Sequence, residues 1–329
     1  MEFAVLYHPE DISQVRLVYP LLEKVPDNML RRFLPYLPPC SAGFFQNKAN
    51  EYIGRAIICP LLPEHFIVLS SQVISQKINS CLKKAEKTKA QVIGLEGLIA
   101  SYYEGGLLEL KQEKLQLTTG LLLNTAAFLN KARRKAEQLG LDWAQNQIVL
   151  AGALGQEGET WIKLLAQEAS SLVLTYTDAG WDKSFVSRII YETGLAVKTT
   201  TNCGRALSQA DIIFFHHLRP EDIKEAYQLK PGALVCSILP YSGWREKLQG
   251  RSDITYIEAP AYKSPASLIF TSKAPDYPDR FTSLAETLVL FWEQRAELNF
   301  PELKYSGRDI TNKQIELALS LAKKYKLQL

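Results

Sequence analysis

Gln147-Ile148-Val149-Leu150-Ala151-Gly152-Ala153-Leu154-Gly155-Gln156-Glu157-Gly158 is the stretch on which the fold turns. Its first five residues are an apolar, β-branched run of strand length, and the chain then enters three glycines spaced GxxGxxG. Trp161 to Ala169 follows with helical spacing. Strand, glycine turn and helix in that order form the setting in which a dinucleotide pyrophosphate is held, on backbone N–H groups at a helix N-terminus with no side chains in the way. Gly152, Gly155 and Gly158 are therefore the candidate cofactor residues, and NAD or NADP the candidate cofactor. A bare strand–helix turn has the same glycines without a ligand. Glu157 lies inside the loop, where a carboxylate repels a pyrophosphate or stabilises the helix N-terminus of an empty site.

Outward from this stretch the pattern alternates. Ser171 to Thr177, Asp211 to Phe215, Gly232 to Ser237 and Ile254 to Ile257 read as strands. Phe185 to Glu192 and Pro220 to Leu229 read as helices between them. That is the pace of a doubly wound parallel sheet. Upstream, Phe3 to Tyr7 is a first strand, Leu34 to Ala42 a proline-rich loop, and Ile53 to Leu62 an apolar run. Ser70 to Lys87 is an amphipathic helix, Ala90 to Leu95 a buried strand, and Leu121 to Leu139 a second helix closed by Gly140. From Phe281 two helices are separated by a loop around Ser306-Gly307-Arg308. The expected class is α/β. An N-terminal α/β substrate domain takes residues 1–120 and a Rossmann NAD(P)-binding domain 121–280, entered by the helix 121–140. C-terminal helices at 281–329 return to the first domain.

Choice between NAD and NADP belongs to the end of the second Rossmann strand, where an acidic residue bonds the ribose hydroxyls and an arginine favours a 2′-phosphate. The chain has Thr177 and Asp178 there, which leaves the choice open. His216 and His217 follow a strand at the carboxyl edge of the sheet, where ligands bind. They read as a general acid or substrate-orienting group, or as loop histidines. Arg219 beside them suits a phosphate or carboxylate, or a surface ion pair. Glu96, Thr118, Thr119 and Asn124 fall at strand ends and the domain junction. They are candidates for a substrate cleft, against a solvated loop position for Glu96 and helix capping for the threonines.

Several short segments, taken together and in order, resemble the long-chain acyl–acyl-carrier-protein reductases and their relatives, the predicted amino-acid dehydrogenases of the shikimate-dehydrogenase-like group. They are Leu62-Pro63-Glu64, Val92-Ile93-Gly94-Leu95-Glu96-Gly97, Leu117-Thr118-Thr119-Gly120 with Asn124-Thr125-Ala126, Gly140-Leu141-Asp142, Gly152-Ala153-Leu154-Gly155, Ala285-Glu286-Thr287, Gly307-Arg308-Asp309-Ile310-Thr311 and Ala322-Lys323-Lys324. The resemblance implies a substrate domain, a central Rossmann domain and a helical tail. It also implies NADPH-dependent reduction of a carrier-bound acyl thioester through a cysteine nucleophile. The matching segment here, Ile257 to Pro265, has no cysteine. Ser264 is the nearest nucleophile, Lys263 a candidate acid or counter-ion, and Cys236 the nearest upstream thiol, which also reads as a small buried apolar residue. A carbonyl-level or amino-acid-like substrate reduced or oxidised by direct hydride transfer fits these residues better than covalent thioester chemistry. A Rossmann unit that binds without catalysis is the other reading.

Composition sets the outer bounds. The chain has 329 residues, 47% hydrophobic and 22% charged, with 38 basic against 35 acidic side chains and a net charge of +3. That balance excludes a nucleic-acid-binding surface as the main function. The basic runs Lys83-Lys84 and Lys131 to Lys135 read as solvated helix faces or a docking patch for an acidic partner. Five scattered cysteines without CxxC spacing predict neither a disulfide framework nor a zinc site, and a reducing cytoplasm is expected. The start of the chain has no basic segment of a secretory signal, and no apolar stretch has the length of a membrane span. The expected partner is a small-molecule or acyl substrate, free or carried by a protein. Oligomeric state is not readable.

Overall fold

A computed structural model describes residues 2–104, 115–153, 155–175, 183–223, 228–238, 243–259, 269–272, 282–296 and 310–327. The chain divides into two compact units. The first comprises Met1–Leu123, Ala261–Gly307 and Glu316–Leu329, and the second Asn124–Pro260 and Arg308–Ile315. The α/β class with parallel sheets is as expected.

In the first unit the sheet is built from β1 (Glu2–Tyr7), β2 (Cys40–Gln46), β3 (Tyr52–Ile58), β4 (Ala90–Leu95), β5 (Gln116–Thr118) and β12 (Ile269–Ser272), in the order β12-β2-β3-β1-β4-β5. β3, β1, β4 and β5 run parallel, and β2 and β12 are added antiparallel at one edge. β1 is central and buried on both faces, which is why Phe3-Ala4-Val5-Leu6 carries no polar alternation. Ala4 and Leu6 face Ile74, Ile78 and Leu82 of α4 (Ser71–Lys87). Phe3 packs edge-on against Phe291 of α11 (Leu284–Arg295), with ring centroids 5.3 Å apart. The short helices α1 (Ile12–Val18), α2 (Asp27–Phe33), α3 (Pro63–Val68) and α5 (Gly97–Glu104) complete this layer. Leu34 to Ala42 was expected to be loop throughout, but β2 begins at Cys40. Once past Pro39 the backbone donates freely, and Cys40 pairs with Ile58.

The second unit holds β6 (Ile148–Ala151), β7 (Leu172–Thr175), β8 (Lys198–Thr200), β9 (Ile212–Phe215), β10 (Leu234–Ser237) and β11 (Thr255–Glu258). Their order is β11-β10-β9-β6-β7-β8, and every pair is parallel. Numbered from β6, this is the 3-2-1-4-5-6 order of a dinucleotide-binding sheet, with its topological switch point between β6 and β9. Phe214 packs on one face with Trp161 and Phe128, whose helices are α7 (Gly155–Ala166) and α6 (Leu121–Gln138). Phe215, one residue on, stacks on Trp244 of α10 (Trp244–Lys247) on the other face, at 3.6 Å between ring centroids. α8 (Lys183–Thr193) and α9 (Cys203–Gln209) complete the layers, and α12 (Asn312–Lys324) closes the described chain.

Two boundaries differ from the sequence reading in ways that matter for the site. α7 starts at Gly155, six residues before Trp161, because a glycine costs little at a helix terminus, where most of its N–H groups are unpaired anyway. That brings Glu157 into the first turn. Pro220 to Leu229 was expected to be a helix. The structure shows a 3₁₀ turn at Pro220–Asp222 that ends at an extended Ile223, and residues 224–227 lie outside the described part. Among the described residues no helix is long and apolar enough to cross a membrane.

Candidate functional site

The three glycines occupy three different environments. Gly152 has φ +72°, and a Cβ added there would stand 2.6 Å from the Leu218 backbone nitrogen. Gly158 would place a Cβ 2.8 Å from the Ala153 carbonyl carbon, so this helix turn sits directly on the loop it follows. Gly155 has φ +63° and, among the described residues, nothing within 4 Å of an added Cβ. One glycine makes the turn, one lets helix and loop touch, and the middle one lies under open space at a helix N-terminus. Those are the separate glycine roles of a pyrophosphate-binding turn.

β9 ends directly beside this loop. The N–H groups of His216 and His217 donate to the carbonyls of Ala151 and Gly152 at 3.0 and 3.1 Å, extending the β6–β9 pairing by two residues past the strands. This places both histidines at the switch point. The His216 ring has no exposed surface, and its Nε2 lies 3.5 Å from a carboxylate oxygen of Glu157. Among the described residues, neither ring nitrogen of His216 has a hydrogen-bond partner. His217, exposed to solvent, meets the His216 ring edge-on at 4.2 Å between centroids. Burial pushes the Glu157 carboxyl up, but the two imidazoles outweigh it and hold the group below its ordinary value. Partial desolvation of its ring where it meets the loop, with the second ring beside it, pushes His217 down. One ligand atom from each of Glu157, His216 and His217 lies within 4.8 Å of the others. No metal-ligand spacing marked these residues in the sequence. The usable signal was a His-His pair at a strand end facing a glycine loop that contains a carboxylate.

His216, expected as a general acid or substrate-orienting group or as a loop histidine, stands in the bend directly after β9 with its side chain fully buried. Arg219 is taken by Glu221 and Asp222, the surface ion pair of its two readings. Lys263, Ser264, Thr177 and Asp178 lie outside the described residues. Cys236 lies inside β10 fully buried, and burial pushes its thiol well above the ordinary range, which is the small apolar residue of its two readings.

Glu96, Thr118 and Thr119, expected to line a substrate cleft, have partners within the first unit. Glu96 is 5% exposed, which makes it neither a solvated loop residue nor an open ligand group. Its two oxygens accept from the N–H and hydroxyl of Thr282, both at 2.9 Å, and from the N–H and hydroxyl of Ser283, at 2.8 and 2.5 Å. Ser283 is the N-cap of α11, so a glutamate at the end of β4 anchors the start of that helix. Gly94 gives the helix room, since a Cβ there would stand 2.3 Å from the Ser283 hydroxyl. A second buried glutamate, Glu286, accepts the Leu123 N–H of α6 at 2.7 Å and the hydroxyl of Thr118. Thr118 in turn accepts the Gly120 N–H at 3.1 Å, and Thr119 the Leu121 N–H at 3.4 Å. Both threonines thus hold the turn that leads into α6. Asn124 is half-buried in α6. None of these residues lines the groove of about 790 Å³ on this unit, whose walls include Arg31, Arg32, Tyr36, His65, Val68 and Lys77.

No model of a known protein family matches the chain, and no curated protein matches it. Solved structures do. Quinate dehydrogenase from Corynebacterium glutamicum in complex with NAD covers 97% of this chain and 99% of its own at 10% identity and a TM-score of 0.46. Shikimate 5-dehydrogenase from Listeria monocytogenes in complex with shikimate and NAD covers 97% and 96% at 7% identity and a TM-score of 0.44. L-tryptophan dehydrogenase from Nostoc punctiforme covers 99% and 89% at 13% identity and a TM-score of 0.41.

Proposed function

We propose that the second unit binds NAD or NADP and that the protein is an oxidoreductase, moving a hydride to or from a carbonyl-level carbon of a small, amino-acid-like substrate. One observation carries this. At the switch point of a 3-2-1-4-5-6 sheet the glycine turn keeps space open over Gly155 alone, while Gly152 and Gly158 are in tight contact. A turn that served packing only has no use for open space at a left-handed glycine on a helix N-terminus. The cofactor supplies the hydride. The chain supplies backbone donors from the first turn of α7 and a sheet edge against which the dinucleotide lies. The carrier-linked acyl thioester implied by the family resemblance is the less supported substrate, because Cys236 is buried and no described residue offers an activated thiol.

The test is titration of NADH and NADPH, followed by fluorescence or calorimetry. Saturable binding is expected, lost in Gly155→Ala, whose Cβ meets no described atom and whose only cost to the fold is the left-handed backbone. No binding of either nucleotide at millimolar levels removes this reading. The alternative, a Rossmann unit without cofactor, is favoured by Glu157, which puts a negative charge in the first turn of α7. That reading predicts no binding to the wild type, with binding gained in Glu157→Gln.

A further inference from the structure

We propose that Glu157, His216 and His217 form a binding site for a divalent transition metal, with zinc the best fit. The donor set comes first. Two imidazoles and one carboxylate suit zinc and its neighbours, and suit magnesium or calcium poorly, since those ions take oxygen ligands throughout. Three protein ligands leave a fourth position open, the pattern of a reactive rather than a purely structural zinc centre.

The geometry agrees. Zinc bonds to imidazole nitrogen and carboxylate oxygen are about 2.1 Å long, so two ligands of a tetrahedral ion lie about 3.4 Å apart. The His216 Nε2 and Glu157 oxygen are 3.5 Å apart, and the three ligand atoms fit within 4.8 Å. The remaining adjustment falls to His217, which is exposed and free to turn. All three residues stand on rigid supports. Glu157 is in the first turn of α7, and both histidines are held by backbone hydrogen bonds to Ala151 and Gly152.

The buried ring is the independent observation. An imidazole with no exposed surface and, among the described residues, no partner on either nitrogen loses its hydration without compensation. A coordinate bond to Nε2 accounts for one of those orphans. An ion pair with Glu157 accounts for it only while a proton sits on a buried ring beside a second imidazole. Coordination needs neither ring protonated. With two neutral imidazoles and one carboxylate, the loaded site has a charge of +1. The sign at the α7 N-terminus is then reversed from that of Glu157 alone, and an anionic oxygen is the natural fourth ligand.

The experiment is a cobalt titration of the chelator-treated, full-length protein, followed by visible absorption. One equivalent is expected to give the intense bands of four-coordinate cobalt without a thiolate charge-transfer band, and zinc is expected to displace it. A direct ligand is worth no less than an outer-shell one, so His217→Ala and Glu157→Gln should each weaken binding at least about tenfold. His217 is exposed, so its variant folds. Absence of saturable cobalt binding overturns the proposal, as does a thiolate band or unchanged affinity in both variants. No dinucleotide is present in the measurement, so its result is independent of cofactor binding.

Discussion

Two strand ends, one in each unit, hold a buried titratable side chain in opposite states. At the end of β4, Glu96 is buried and accepts four hydrogen bonds. At the end of β9, His216 is buried and makes none. Both positions follow a strand with parallel neighbours on either side, at the end where ligands collect in α/β folds. The first is finished by the chain itself, because Thr282 and Ser283 bring the donors. The second is not finished by any described residue. A buried polar group whose partners are all internal belongs to the fold, and one left without partners points to something that binds.

The largest effect expected from breaking this contrast is at Glu96. Glu96→Ala leaves two N–H groups and two hydroxyls at the start of α11 without their acceptor and opens a small cavity. A loss of about 4 kcal/mol is expected in urea denaturation near pH 6. A loss under about 1 kcal/mol would mean that the start of α11 is held by something else. The same carboxyl makes stability depend on pH. Burial raises Glu96 from 4.5 to about 7 in the folded state, against the four hydrogen bonds that favour its ionised form. The folded protein thus keeps this proton after the unfolded chain has lost it. Its contribution is fully present below pH 4.5 and falls away as pH rises to about 7, by about 3 kcal/mol in all. Glu286, raised by burial as well, acts in the same direction. The difference in stability between wild type and Glu96→Gln isolates Glu96, and a difference that stays flat between pH 4.5 and 7 would remove this assignment.

The fold was readable where a pattern is local. β6 and its glycine turn announce themselves within a dozen residues, because an apolar run followed by spaced glycines has few alternatives. The start of α7 was misplaced, since Gly155 and Gly158 look like helix breakers, and the value of Gly158 lies in a close approach to Ala153 that only the folded chain makes. The roles of Glu96 and Thr118 were hidden for a related reason. Their partners, Ser283 and Glu286, come from a distant part of the chain, and no spacing rule links a carboxylate to the helix it caps at that distance. His216 and Glu157 were each visible as residues of interest. Their meeting depends on β9 lying next to β6, which is a fact of sheet order and not of sequence.

Gly152→Ala tests whether the β9 end depends on the loop. The new Cβ meets the Leu218 backbone at 2.6 Å, in a left-handed conformation that already disfavours alanine. Strain and overpacking together are expected to cost about 2–3 kcal/mol. Leu218 follows directly on the two histidines, so the same change should also displace His216 from Glu157. Gly155→Ala adds the conformational cost alone, about 1–2 kcal/mol. Equal losses in the two variants would show that the contact with Leu218 contributes nothing.

The smallest expected effect is the one with the opposite sign. His216→Leu, in metal-free protein, replaces an imidazole without partners by an apolar side chain of similar size. Both orphaned nitrogens disappear, and Glu157, with a quarter of its side chain still in solvent, recovers hydration in place of a distant ion pair. Stability should rise by about 1 kcal/mol. The same substitution at Glu96 should lower it, since there the partners stay behind. If His216→Leu instead lowers stability by a kilocalorie or more, the ring is satisfied in the folded protein, and the contrast between the two strand ends fails.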